Sequence, residues 1–193
     1  MSTSTFITPF RRRAEGRTNY VKRLAFLKSG MPRVVIRKSS GNVTIQCIET
    51  THGKDHIVAA AHTVELPKFN YAGHKGNIPA AYLAGLLAGT RMKKKKLAEV
   101  IIDLGIQPPI HGTRLFAAVK GIVDAGIVVR VNEEVFPTAE RLSGKHIVAF
   151  AKNEASKKNR TQFSTYAARK LDATSFTEAV ENAKKTIMES NNA

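Results

Sequence analysis

The side chains in this sequence that could do chemistry are mostly cationic, and they gather at its front. Between Met1 and Ser40 stand ten basic residues: Arg11, Arg12, Arg13, Arg17, Lys22, Arg23, Lys28, Arg33, Arg37 and Lys38. A single acid, Glu15, opposes them, so this stretch carries a net +9 of the formal +16. Charge of one sign, presented by several kinds of local structure in succession, suits a polyanion. Solubility alone would not require it to cluster. Basic groups supply affinity and position, while unpaired bases stack on aromatic or arginine planes. Phe10, Tyr20 and the arginines around them are the candidates for stacking. Aromatic residues make up only 7% of the chain, so shape and phosphate contacts are expected to outweigh a base code.

Other chemistries find less support. There is no GxxxxGK(S/T), no GxGxxG after a strand and no GxSxG elbow. Cys47 is the lone cysteine, and His62, His74, His111 and His146 are scattered, so no zinc site and no cofactor is expected. The alternative reading is a metal-dependent nuclease with a ribonuclease-H-like core. Strands followed by an α-β-α unit could bring Glu49, Asp103 and Asp124 together, and two-metal hydrolysis needs converging carboxylates. Asp103, however, has apolar neighbours on both sides, and Lys120 stands one helical turn from Asp124, where it can pair with it. Gly112-Thr113-Arg114 opens a helix. Free N–H groups, the positive helix end and a guanidinium make Thr113 and Arg114 a candidate anion site.

These groups need a body to hold them. With 193 residues and 42% hydrophobic content, the chain has material for one folded domain with an appendage. A lone cysteine fits a reducing, cytoplasmic setting. No apolar run approaches the roughly 18 residues that span a membrane, and no membrane partner is expected. The Ser/Thr- and Arg-rich beginning shares its composition with mitochondrial transit peptides, but the basic pattern continues straight into folded structure.

Residues 1–16 lack apolar periodicity and read as an extended basic arm, ordered against a partner. The core follows over residues 17–150. Thr18 is placed to cap a helix from Asn19 to Ser29, with Tyr20, Leu24 and Leu27 on its core face and Lys22 opposite. Gly30 suits the left-handed residue after the helix, and Pro32 stops it. Arg33 to Lys38 alternates, Val34 and Ile36 on one face and Arg33, Val35 and Arg37 on the other. The Ser39-Ser40-Gly41-Asn42 turn leads to Val43, Ile45 and Cys47 on one face and Thr44 and Gln46 on the other. An antiparallel hairpin results, with His56 to His62 as a third strand. Arg33, Arg37, Thr44 and Gln46 would then line an open polar face, with Lys38, Ser39 and Asn42 at the turn.

Asn77 and Pro79 begin a helix of mostly apolar residues that runs to Met92, followed by Lys93 to Lys96. That lysine run is either a solvated helix end or a phosphate contact. Ala98 to Leu104 reads as a strand buried on both faces. Thr113 opens a further helix ending at Gly126. The order predicts an α/β fold: a mixed sheet, antiparallel strands first and then an α-β-α unit, packed with helices. Residues 151–193 form a basic extension, with Lys152, Lys157, Lys158, Arg160, Arg169 and Lys170. It ends in a helix where Phe176, Val180, Ala183 and Ile187 recur at helical spacing, and it reads as wrapping over a partner.

Three blocks then point to a family. FRRRAEGRTNYVKRLAFLKSGMPRVVIRKS resembles the N-terminal block of the archaeal-type large-subunit ribosomal proteins of the L-eighteen family, whose eukaryotic relatives are called L-five. NIPAAYLAGLLAG, the strand ending IDLG, and PPIHGTRLFAAVKGIVDAG are similar to its later signatures, in the same order. The resemblance covers about residues 6–150. It implies a non-catalytic role: binding 5S rRNA and seating it against 23S rRNA in the central protuberance, beside neighbouring ribosomal proteins. It also implies RNA contacts from the arm and sheet surface, which fall on Arg11, Arg12, Arg13, Arg17, Tyr20, Lys22, Arg23, Arg33, Arg37, Lys38 and Ser39.

Overall fold

Alternation in the first strands does what it predicts. In the computed structural model, which describes residues 7–155, Phe163, Tyr166 and 174–190, β1 (Arg33–Lys38), β2 (Val43–Thr51) and β3 (Lys54–His62) form an antiparallel meander. β4 (Ile101–Asp103) joins β1 in parallel, giving a mixed sheet of order β3-β2-β1-β4. Val34, Ile36, Val43, Ile45 and Cys47 are buried on one face. The register pairs Arg37 with Thr44, Val35 with Gln46 and Arg33 with Ile48 on the other.

The apolar face is covered by α3 (Ile78–Lys94) and α4 (Arg114–Asp124). Asn77 caps α3 as its type predicts: its Oδ1 accepts the Ala80 N–H at 2.8 Å and the Tyr71 hydroxyl at 2.9 Å. Tyr71 is almost fully buried, and that burial pushes its phenol well above the usual tyrosine range, so it acts as a neutral donor. α3 and α4 cross at backbone contact. A Cβ built on Gly85 would fall on the Ala118 carbonyl oxygen, with the carbonyl carbon 2.8 Å away. A Cβ on Gly121 would fall on the Tyr82 oxygen and 2.6 Å from the Leu86 nitrogen.

Two short helices, α5 (Ala139–Ser143) and α6 (Lys145–Ala155), lead toward α7 (Phe176–Glu189). Phe176, Val180, Ala183 and Ile187 of α7 are buried in the chain's own core, at the spacing the sequence shows. The terminal helix therefore closes the body and is not free to wrap a partner with that face. Residues 1–6 and Lys157, Lys158, Arg160, Arg169 and Lys170 lie outside the described residues.

Three expectations need correction. The run Ala98 to Leu104 is not one doubly buried strand: only Ile101–Asp103 pairs with β1, at the sheet edge and half-buried. The preceding residues turn to a different neighbour, with the Val100 N–H donating to the Val128 oxygen and the Val128 N–H to the Ala98 oxygen. One apolar run thus serves two partners. The arm is not simply extended either, since Arg11–Ala14 forms a helical turn, α1.

The third correction concerns α2 (Tyr20–Lys28). Its cap is Asn19, whose Oδ1 accepts the Lys22 N–H, and not Thr18; Gly30 takes the left-handed position as expected, at φ 68°. No residue of α2 is buried, and Leu24 is 53% exposed. The helix lies instead with Arg23 and Phe26 toward the open sheet face. That face carries Arg33 and Asp55, so charge rather than an apolar stripe decides which side of the helix turns inward.

Candidate nucleic-acid interface

The open face of the sheet becomes a groove because α1 and α2 stand over it. The groove encloses about 470 Å³ and is lined by Arg12, Arg17, Lys22, Arg23 and Phe26 from the arm and α2. Arg33, Val35, Arg37, Ile48 and Asp55 line it from the strands, and Asp103 to Gln107 close one side. The lining is cationic with only two acids, Asp55 and Asp103, which leaves a positive cleft of the kind that focuses field on an anion.

The arm has its own internal order. Glu15 reaches Arg11 Nε at 2.8 Å and Arg17 Nε at 3.2 Å, and Arg12 Nε donates to the Thr18 hydroxyl at 2.9 Å. These exposed pairs hold shape more than they hold energy. Arg13 and Lys22 point to solvent, as does Lys28 at the end of α2. Phe10, 72% exposed, places its ring 5.4 Å from Tyr20, tilted by 46°. An aromatic pair with one open face beside four arginines is a fit place for a base to stack.

Beyond α2 the sheet surface stays uncovered. Arg37 and Lys38 are exposed, and Thr44 and Gln46 are half-buried beside them. Gln107 steadies this edge, donating from Nε2 to the Ile36 oxygen at 3.1 Å. Ser39 closes the turn, its hydroxyl donating to the Asn42 oxygen and accepting the Asn42 N–H. The Asn42 side chain faces inward to the Thr63 hydroxyl.

The sequence places Arg33 on the open face, but the structure buries it there. Its side chain is 6% exposed, with Nη2 2.6 Å from Asp55 Oδ2, and Arg23 Nη2 meets the same oxygen at 2.8 Å. Partial burial raises the Asp55 carboxyl, but the Thr50 hydroxyl and the two guanidiniums outweigh it and hold it below its ordinary value. Nothing local in the sequence marks Asp55. Only the register across β2 and β3, with its bulge at Cys47/Ile48, sets it under α2.

Arg114 also departs from expectation. Its Nη1 lies 2.7 Å from the Gly76 oxygen and 3.2–3.3 Å from those of Ser40 and Ser39. The Thr113 hydroxyl donates to the Ile110 oxygen and does not cap α4. The guanidinium is drawn to the open carbonyls of the Ser39–Asn42 turn, so Thr113 and Arg114 do not form the expected anion site at the start of α4. Arg114 pins the turn that presents Lys38. Replacing Arg114 with Lys, which lacks the planar fork, is expected to lower stability by about 1–3 kcal/mol. Amide hydrogen exchange should speed up at Ser39 to Gly41.

The carboxylates of the nuclease alternative are engaged separately. Asp124 pairs with Lys120 at 3.1 Å and accepts the Tyr82 hydroxyl at 2.9 Å. Asp103 accepts the Gly105 N–H at 2.8 Å, and Glu49 sits opposite His56 in the β2–β3 ladder. Among the described residues no three His, Cys, Asp or Glu side chains cluster as a metal site would require.

Residues 4–99 match the family model described as ribosomal large subunit proteins 60S L5 and 50S L18. The chain is 40% identical over 185 residues to large ribosomal subunit protein uL18 of Methanococcus maripaludis, covering 95% of this chain and 96% of that one. The Korarchaeum cryptofilum uL18 is 43% identical over 179 residues, 92% of each chain. That of Aeropyrum pernix is 41% identical over 185 residues, 94% of this chain and 86% of its own. The chain belongs to the uL18 family. These matches extend over 92–95% of the chain. Members of the uL18 family are structural proteins of the large ribosomal subunit and not enzymes, which sets the nuclease alternative aside.

Proposed function

We propose that this chain is a structural protein of the large subunit in the cytoplasmic ribosome, where it binds 5S rRNA and joins it to 23S rRNA in the central protuberance. Rather than a base code, the reading rests on one observation: a positive groove and arm on one side of the sheet, with the other side sealed by helices. A duplex or folded loop laid on that side meets Arg13, Lys22, Lys28, Arg37 and Lys38 as phosphate contacts, with Phe10 and Tyr20 as a stacking surface. Arg11, Arg12 and Arg17 stand beside them. Neighbouring ribosomal proteins would meet the remaining surface. No helix among the described residues is long and apolar enough to cross a membrane.

The test is equilibrium binding of the purified full chain to a 5S rRNA transcript across a salt series, with an unrelated structured RNA of the same length as competitor. Binding should favour 5S and weaken steeply as salt rises, because counterions released on binding gain less entropy when they enter a more concentrated solution. Equal affinity for both RNAs would overturn the 5S assignment, and indifference to either at low salt would overturn RNA binding.

A further inference from the structure

Burial holds α2 weakly in its place. None of its residues is buried, Val21 is 80% exposed, and the arm before it is exposed as well. Little apolar surface therefore fixes it to the sheet. What does bridge α2 to a strand is the contact from Arg23 Nη2 to Asp55 Oδ2 at 2.8 Å, with Phe26 lining the groove beneath.

Asp55 is itself held on three sides. The Thr50 hydroxyl donates to Oδ1 at 2.8 Å, and Arg33 Nη2 reaches Oδ2 at 2.6 Å from within β1. Arg33 is buried, and its Nε has no hydrogen-bond partner, so its charge depends on this one carboxylate. One acid thus joins β1, β2, β3 and α2 at the floor of a basic groove.

We propose that Asp55 is the positioning residue of this interface: it anchors α2, and with it the arm, over the open sheet face. Arg23 and Arg33 are then internal ties and drop out of the set that touches RNA. The consequence for binding rests on the RNA reading above, while the geometry does not. On charge alone, an acid in an RNA-binding groove repels the ligand, and neutralising it should tighten binding. An anchor gives the opposite sign, because an unmoored arm must be ordered at the moment of binding.

The experiment uses the full chain and two readouts. One is the affinity for the 5S rRNA transcript. The other is the distance, by pulsed electron paramagnetic resonance without RNA, between nitroxides on Val21→Cys in α2 and Lys185→Cys in α7. The native Cys47 is 1% exposed and its thiol is pushed up to about 11, chiefly by burial, so it does not compete for label. Asp55→Asn is expected to bind RNA at least tenfold more weakly despite its extra positive charge and to broaden a narrow distance distribution, with Asp55→Glu restoring part of both. A folded Asp55→Asn that binds as well as the parent, or keeps the narrow distance, overturns the proposal.

If Asp55→Asn does not fold, Arg23→Gln decides, since it leaves Arg33 and Thr50 on Asp55. It should broaden the distance, whereas Lys22→Gln, which removes the same charge from the same helix without touching Asp55, should leave the distance narrow. A narrow distance in Arg23→Gln, or equal broadening in both variants, would overturn the anchor. If the parent fails to bind RNA, the RNA reading falls, and the distances alone judge the anchor.

Discussion

Gly85→Ala is expected to lower the melting temperature by about 6–20 °C, from a stability loss of about 3–5 kcal/mol at roughly 2–4 °C per kcal/mol for a chain of this size. The added methyl would fall on the Ala118 carbonyl, and a carbonyl in mid-helix cannot swing away as a side chain can. α3 and α4 would have to separate, opening the apolar layer beneath the whole sheet. Gly121→Ala meets the same barrier from the other helix, at the Tyr82 oxygen and the Leu86 nitrogen. Gly41→Ala is the control: nothing lies within 4 Å of its Cβ position, so its stability should change by less than about 0.5 kcal/mol and its melting point should move little. Thermal unfolding by circular dichroism distinguishes the three. A Gly85→Ala protein as stable as the parent would mean that the two helices do not meet at backbone contact.

The second large effect concerns affinity and leaves the fold alone. Converting Arg11, Arg12, Arg13 and Arg17 together to Gln should weaken 5S rRNA binding by about 10²–10³-fold near 0.1 M salt and flatten the slope of log K against log salt by about 3–4. Each phosphate contact releases about one counterion, worth up to about tenfold at that salt, and the ties from Glu15 to Arg11 and Arg17 trim the total. These side chains are exposed and none touches the core, so the melting temperature should hold. Converting the exposed Lys93 to Lys96 removes equal charge at the far end of α3. If both sets cost the same affinity, the arm acts only as diffuse charge and not as a docking surface.

What could be read from the sequence is what local pattern decides. Alternation in β1 and β2, the Asn77 cap with Pro79, the apolar stripe of α4 and the four buried residues of α7 each follow from residues within a turn or two of one another. What could not be read depends on which surfaces meet. Arg33 and Arg37 are the same residue type on the same face of one strand, yet α2 and Asp55 close over the first and leave the second open. Arg114 looks like an anion hook beside a helix start. It becomes a tie because two carbonyls of the remote Ser39–Asn42 turn, and that of Gly76, come to it. The Tyr20–Leu24–Leu27 stripe suggests a core face, but Tyr20 and Leu27 are only half-buried and Leu24 is exposed, because the helix turns Arg23 and Phe26 to the sheet. In each case the deciding partner is remote along the chain, and propensity carries no word of it.

The parallel pairing of β1 with β4 fixes when the binding platform can exist at all. β1 is complete at Lys38, but its outer neighbour and the loop walling the groove end only after Asp103. At a synthesis rate of about 5–20 residues per second, β1 precedes its finished outer neighbour by about 3–13 s, and the cationic arm is made earlier still. For that interval the nascent chain exposes its densest positive charge without the finished groove. On the proposed RNA role, discrimination among RNAs is therefore acquired only about midway through synthesis, when the last strand slots in beside the first.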